Sequence, residues 1–378
     1  MPFCDVRESN GMRIFYRRYG HGSTKVLLII GLAGTHDSWG PQIKGLTGAV
    51  EPNDDESESE SESAAAVGGG SDGHDEEGQV EVEGIEVCCF DNRGMGRSTV
   101  PTNKSEYTTT IMARDALALL DHLGWKKAHV FGHSMGAMIA CKLAAMAPDR
   151  LCSLALLNVT GGGFECFPKI DRQMMSLAFR FLRAKTPEER AVVDLETHYT
   201  KEYLDEYVGS CTRRSILYQQ YVKAISSTGM QSNYGFEGQV NACWTHKMTA
   251  KELDTIRSSG FPVSVIHGRY DIIAQLYHAR RLAERLYPAA RMVELHGGHL
   301  VSHERPDEVN LALLDLIRAS KAKLKEQEWA CLPERESGIF VMGFEHMRNV
   351  MRIMKPVRVA AIESQAELLC DKHISATS

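Results

Sequence analysis

A serine hydroxyl attacks a carbonyl only when a base takes its proton, and Gly132-His133-Ser134-Met135-Gly136 presents a serine in the setting this chemistry needs. The pentapeptide fits G-x-S-x-G. It follows the apolar run Ala128–Phe131 and precedes the helical pattern Met135–Met146, so a sharp strand–turn–helix bend is expected. Both glycines are required by that bend, because Cβ atoms at 132 and 136 would clash. The strain holds the Ser134 hydroxyl at the helix N-terminus and leaves the Met135 N–H free to donate to an oxyanion. The base needs an orienting acid, and on such a scaffold the chain order is serine, acid, histidine. Asp271, in Gly268-Arg269-Tyr270-Asp271, lies just beyond the apolar run Val263–His267, and His299 follows Gly297-Gly298 beyond Arg291–Leu295. Both sit past the C-terminal ends of strands, where such sheets gather their ligands. The other usual position for an acid, at the end of Cys152–Val159, holds Asn158 and Thr160 instead. A second oxyanion donor is expected from the Leu32 N–H, in Gly31-Leu32-Ala33-Gly34 after Val26–Ile30. Phe90–Ser98 (FDNRGMGRS) reads as a tight loop bracing the bend.

His296, His299 and His303 offer a rival chemistry, since histidines four apart share a helix face and bind metal. Gly297 and Gly298 break a helix through 296, and no H-E-x-x-H is present. The expectation is therefore no metal and no organic cofactor, with His296 structural at its strand end.

These loops need a rigid frame. Met12–Arg17, Val26–Ile30, Ile85–Asp91, Ala128–Phe131, Cys152–Val159, Val263–His267 and Arg291–Leu295 read as strands. Ile111–Leu123, Met135–Met146, Leu276–Leu286 and Pro306–Ala319 read as helices between them. Apolar strands alternating with helices imply a parallel sheet covered on both faces. Residues 161–257 interrupt the alternation with helical periodicity and no convincing strand. They hold twelve of the chain's 28 aromatic residues, so a cap over a pocket is expected there, with most of the aromatics as its core. The expected division is a core of 1–160 and 258–320, the cap at 161–257, and a C-terminal extension at 321–378. That extension begins as a charged linker (KAKLKEQEW). Its stretch 339–359 spaces Phe344, Met347, Val350, Met351 and Met354 at helical intervals beside Arg348, Arg352 and Lys355. Such a basic amphipathic helix either docks on its own domain or contacts a partner or a membrane surface.

Composition narrows the classes. The 378 residues are 43% hydrophobic and 24% charged, which excludes collagen-like, wholly disordered and disulfide-scaffold chains. Residues 51–83 carry thirteen acids and no Lys or Arg; without them 36 acids face 43 bases, so the acidity belongs to one segment. That low-complexity insertion, 51–84, lacks the apolar residues needed to offset its ordering entropy and is expected to be a disordered surface loop. No apolar stretch reaches membrane-span length, and the N-terminus has no signal-peptide core. The ten scattered cysteines, without a C-x-x-C pair, fit a reducing compartment, and a cytoplasmic location is expected.

Taken together, GHSMG (132–136), FDNRGMGRS (90–98), HGRYD (267–271) and GGHLVSHERPDEV (297–309) resemble the alpha/beta-hydrolase superfamily. The compact cap is similar to that of aminoacrylate hydrolases and 3-oxoadipate enol-lactonases. The resemblance implies an α/β fold, with a mostly parallel eight-stranded-type sheet and a helical cap inserted after the sixth strand. It also implies Ser134 as nucleophile, Asp271 as acid, His299 as base, and Leu32 and Met135 as oxyanion donors. One departure is Ile30-Gly31, where members often carry His-Gly. The implied activity is hydrolysis of a small or medium ester, thioester or lactone through an acyl-enzyme, acting on a small-molecule acyl substrate and not on nucleic acid. Serine at 134 argues against the carboxylate-nucleophile chemistries of that superfamily. The alternatives are a ligand receptor or signalling protein that keeps these residues with slow turnover, and an interaction protein working through its acidic or basic segments.

Overall fold

The computed structural model describes residues 2–6, 11–53, 84–168, 171–228 and 231–331. The acidic stretch from 54 to 83 and the amphipathic pattern at 339–359 lie outside them. The first half runs β1 (Phe3–Asp5), β2 (Arg13–Tyr19), β3 (Thr24–Ile29), α1 (Gly40–Thr47), β4 (Ile85–Phe90), α2 (Thr109–His122), β5 (Ala128–His133), α3 (Met135–Met146) and β6 (Leu151–Leu157). A helical excursion follows: α4 (Arg172–Arg183), α5 (Pro187–His198), α6 (Lys201–Asp205), a two-residue hairpin of β7 (Tyr207–Val208) and β8 (Cys211–Thr212), α7 (Arg213–Thr228), α8 (Asn233–Thr245) and α9 (Ala250–Arg257). The chain then returns through β9 (Val263–Gly268), α10 (Leu276–Leu286), β10 (Ala290–Leu295), α11 (Val301–Glu304), α12 (Pro306–Lys321) and α13 (Glu326–Ala330).

Eight strands form one sheet in the order β1-β2-β4-β3-β5-β6-β9-β10. Pairing is parallel from β4 to β10, and antiparallel only where β1 meets β2 and β2 meets β4. The strands are apolar throughout because each face has its own core. On β3, Leu27 and Ile29 point to one side and Val26 and Leu28 to the other, all fully buried. On the first side α2, α3 and α10 cover the sheet; α1 and α12 cover the second. The acidic insertion leaves and re-enters beside β2 and β3. There the Asn53 N–H donates to Arg18 O (2.8 Å), and Thr24 N–H donates to Gly84 O (3.2 Å).

Several features differ from the sequence reading, among them the short β7–β8 hairpin within 161–257, where no strand was expected. β1, only three residues long, adds an edge strand that no periodicity could show, and α1 lies in a stretch carrying Gly40, Pro41 and Gly45. Within 161–257, α9 buries Leu253 and Ile256 in the same core as α3 and α10, so this end of the excursion packs with the sheet helices. The run KAKLKEQEW is not a plain linker: Trp329 in α13 is 1% exposed, and its indole N–H donates to Val263 O at 2.8 Å. Trp329, with Leu324 partly buried against the same core, docks the charged stretch.

Candidate active site

Ser134 sits between β5 and α3 with φ 54° and ψ −120°, a conformation a non-glycine residue adopts only when its surroundings impose it. The neighbouring glycines show what imposes it. A Cβ on Gly132 would lie 2.3 Å from Gly136 O, and one on Gly136 would lie 2.0 Å from Ile29 O on β3. The second clash is thus with the adjacent strand, not with residue 132. Helix α3 is pressed against β3, and the Ser134 hydroxyl is left on the cavity side. The Met135 N–H, at the first turn of α3, has no acceptor among the described residues, and neither does the Leu32 N–H.

His299 Nε2 lies 3.0 Å from Ser134 Oγ, and its Nδ1 lies 2.8 Å from Asp271 Oδ2. A carboxylate oxygen only accepts, so Nδ1 carries the proton and Nε2 is free to accept from the serine. Asp271 is saturated. Its Oδ1 accepts the N–H groups of Ile273 and Ala274, both at 2.8 Å, and its Oδ2 also accepts Asn158 Nδ2–H at 2.7 Å. Burial pushes this carboxyl upward, but His299, His267 and the Asn158 hydrogen bond prevail and hold it down at about 2. The two loops carrying Asp271 and His299 touch: a Cβ on Gly268 would meet Gly298 O at 2.2 Å. Ser134, Asp271 and His299 are therefore brought into one hydrogen-bonded line.

Around that line lie groups the sequence did not single out. His133 is buried, its ring centroid 4.9 Å from that of His299, and its Nε2–H donates to His299 O at 2.8 Å. Burial, reinforced by His299, lowers its pKa to about 3, so it stays a neutral donor. Glu304 binds the N–H of Gly298 (2.8 Å) and both the N–H (3.0 Å) and the hydroxyl (2.6 Å) of Thr200. It fastens the histidine loop to the start of α6. On the Leu32 loop, Asn92 Nδ2–H donates to Ile30 O (2.8 Å), while buried Gln239 accepts from Ala33 N–H (2.9 Å) and donates to Arg93 O (3.0 Å). A strut from α8 thus holds the loop where Ile30 replaces the familiar histidine. No local pattern marked Gln239, since its partners lie far away in sequence. Arg93 forms a buried bidentate pair with Asp115, both contacts 2.6 Å, which fixes the brace loop itself.

The remaining histidines point apart. His296 is exposed and packs edge-on against Tyr270 (4.7 Å), while His303 donates from Nε2 to Ser38 O (2.7 Å) and accepts at Nδ1 from the Tyr199 hydroxyl (3.0 Å). Among the described residues no group of three metal-binding side chains converges.

Ser134 and His299 open into a cavity of about 330 Å³. Its walls are mainly apolar, with Leu32, Met138, Phe167, Val240, Cys243 and Ile273 facing Asn158, Thr160 and His198. Val240, Cys243 and Trp244 come from α8 and His198 from the end of α5, so the helical excursion supplies one wall. No helix among the described residues is long and apolar enough to cross a membrane.

Residues 25–306 match the family model described as alpha/beta hydrolase fold. Among curated proteins, the chain is 29% identical over 242 residues to "Putative non-heme bromoperoxidase BpoC" of Mycobacterium tuberculosis, covering 63% of this chain and 85% of that one. It is 28% identical over 244 residues to "Putative carbamate hydrolase RutD" of Caulobacter sp. strain K31, covering 65% of this chain and 85% of that one. Among solved structures, the enol-lactonase from Burkholderia xenovorans LB400 aligns with TM-score 0.60 at 22% identity, over 84% of this chain and all (100%) of that chain. At that identity the likeness is one of fold.

Proposed function

The chain belongs to the alpha/beta-hydrolase fold family, and from that premise we propose that it is a serine hydrolase cleaving a small or medium carboxylic ester, thioester or lactone. The observation that carries this reading is the line Asp271–His299–Ser134, with contacts of 2.8 and 3.0 Å, ending on an apolar cavity. Ser134 Oγ bonds to the substrate carbonyl carbon as its proton passes to His299 Nε2. The carbonyl electron pair moves onto oxygen and is received by the N–H groups of Leu32 and Met135, each such donor being worth ~3 kcal/mol to the transition state. His299 returns the proton to the leaving oxygen or sulfur, and the acyl-enzyme forms. Water then gives a proton to His299 and its oxygen to the acyl carbon, releasing the acid and restoring Ser134. Asp271 keeps Nδ1 protonated and stabilises the imidazolium. No step needs a metal or an organic cofactor.

In this reading, residues from Gly161 to about His246 form the cap that selects the acyl group, and the partner is a small molecule. A reducing, cytoplasmic setting belongs to this reading on the scattered cysteines without a C-x-x-C pair; among the described residues eight are free thiols and Cys211 is disulfide-bonded. Ser134→Ala decides the matter. It should abolish labelling by a fluorophosphonate probe and lower ester turnover on the order of 10³-fold or more, with the circular dichroism spectrum unchanged. Undiminished labelling of that variant overturns the assignment.

A further inference from the structure

A second cavity, of about 590 Å³, lies against the first, and Thr160 and Trp244 line both. Its character is different. Helix α10 turns His278, Arg281 and Arg285 toward it from one face, and Lys247 faces them from the segment after α8. One carboxylate, Glu165, is present, and it is already engaged. Its Oε2 accepts Gly161 N–H (2.8 Å) and lies 3.4 Å from His278 Nδ1, while its Oε1 is 3.5 Å from Arg281. Among the described residues no carboxylate pairs with Lys247 or Arg285. Arg281 and Arg285 stand one helical turn apart on an exposed rim; Glu165 offsets only the first, so an anion entering between them would pair with Arg285 and Lys247 as well.

We propose that the basic cavity binds a carboxylate at the far end of the substrate's acyl chain, so that the preferred substrates are esters of medium-length dicarboxylic acids with one acid group free. This rests on the serine-hydrolase reading and narrows its substrate class. The apolar cavity beside Ser134 receives the methylene chain, which passes Thr160 and Trp244 to bring the free carboxylate to Arg281, Arg285 and Lys247. Neutral acyl chains of the same length fill the first cavity but leave Lys247 and Arg285 without a carboxylate partner.

The test compares 4-nitrophenyl half-esters of four- to eight-carbon dicarboxylic acids with neutral 4-nitrophenyl alkanoates of matching length. The ratio of kcat/KM values, half-ester over neutral ester, should exceed one at some chain length and fall as salt is raised. In Arg281→Gln/Arg285→Gln that ratio should drop roughly tenfold, the loss expected for two charge-assisted contacts in a partly solvated site. A second measurement needs no turnover: the best-matched free dicarboxylate should raise the Tm of Ser134→Ala and fail to raise that of Ser134→Ala/Arg281→Gln/Arg285→Gln. A ratio unchanged by the double substitution, or equal Tm shifts in both proteins, overturns the proposal. If fluorophosphonate labelling fails while the charge-dependent Tm shift persists, the hydrolase reading falls and the anion site stands.

Discussion

His299 is the residue on which the site's separate contacts converge. Its Nδ1 is aimed by Asp271, its carbonyl is held by His133, and the preceding Gly298 is held by Glu304. Asp271→Asn preserves the shape of the acid but offers an amide where a carboxylate fixed the tautomer. In the serine-protease triads this change costs ~10⁴-fold in kcat, and a loss of that order is expected here without loss of folded protein. Steady-state kinetics on a small ester checks it; near-full activity would place the acid elsewhere. Burial of the carboxylate makes the effect large, because Asp271 is 8% exposed and all its oxygens are spoken for.

At the scale of elements, the sheet ends are held by pieces that look dispensable in sequence. Trp329 in the five-residue α13 fills the second core beside β9 and β10, and Arg291 stacks over its ring at 5.5 Å. Trp329→Ala removes that volume together with the indole hydrogen bond to Val263 O, and should cost about 3–5 kcal/mol. Urea unfolding at constant m would show this as a lowered midpoint; a shift under 1 kcal/mol would mean that α13 detaches freely. Helix α3 depends on a different economy, since Gly136 lets its first turn approach β3 and so aims the Ser134 hydroxyl.

For the whole molecule, several titratable groups are folded in their neutral form. Burial lowers His129 to about 4, and His133 and His246 to about 3. In the unfolded chain each would bind a proton near pH 6.5. The unfolded state therefore holds more protons between those limits, and stability falls as pH drops below about 6.5. Three such groups give a slope of up to about 4 kcal/mol per pH unit near pH 5. Asp271, held at about 2, adds a further loss only below about pH 4. The urea midpoint should decline steeply from pH 6.5 to 5; because burial lowers His198, His267 and His303 as well, His246→Gln should flatten that decline by less than a third. A midpoint constant over that range would mean that these rings are charged in the folded protein.

Much of this was legible along the chain, for local reasons. GHSMG, the loops ending in Asp271 and His299, and the apolar runs of β3, β5, β6 and β9 are each short, contiguous patterns whose backbone chemistry has few alternatives. Helices α3 and α10 begin and end where their periodicity does. What stayed hidden depends on contacts between distant residues. Gln239 reaches Ala33 across 206 positions, His133 reaches His299 across 166, and Trp329 meets Val263 across 66. β1 is three residues long and pairs only because β2 offers it an edge. Composition and spacing determined which side chains can do chemistry and which strand ends carry them. Only tertiary packing decided which neutral groups aim them, and that a row of cations stands behind Trp244, because burial and partner geometry are properties of the assembled sheet and not of any one segment.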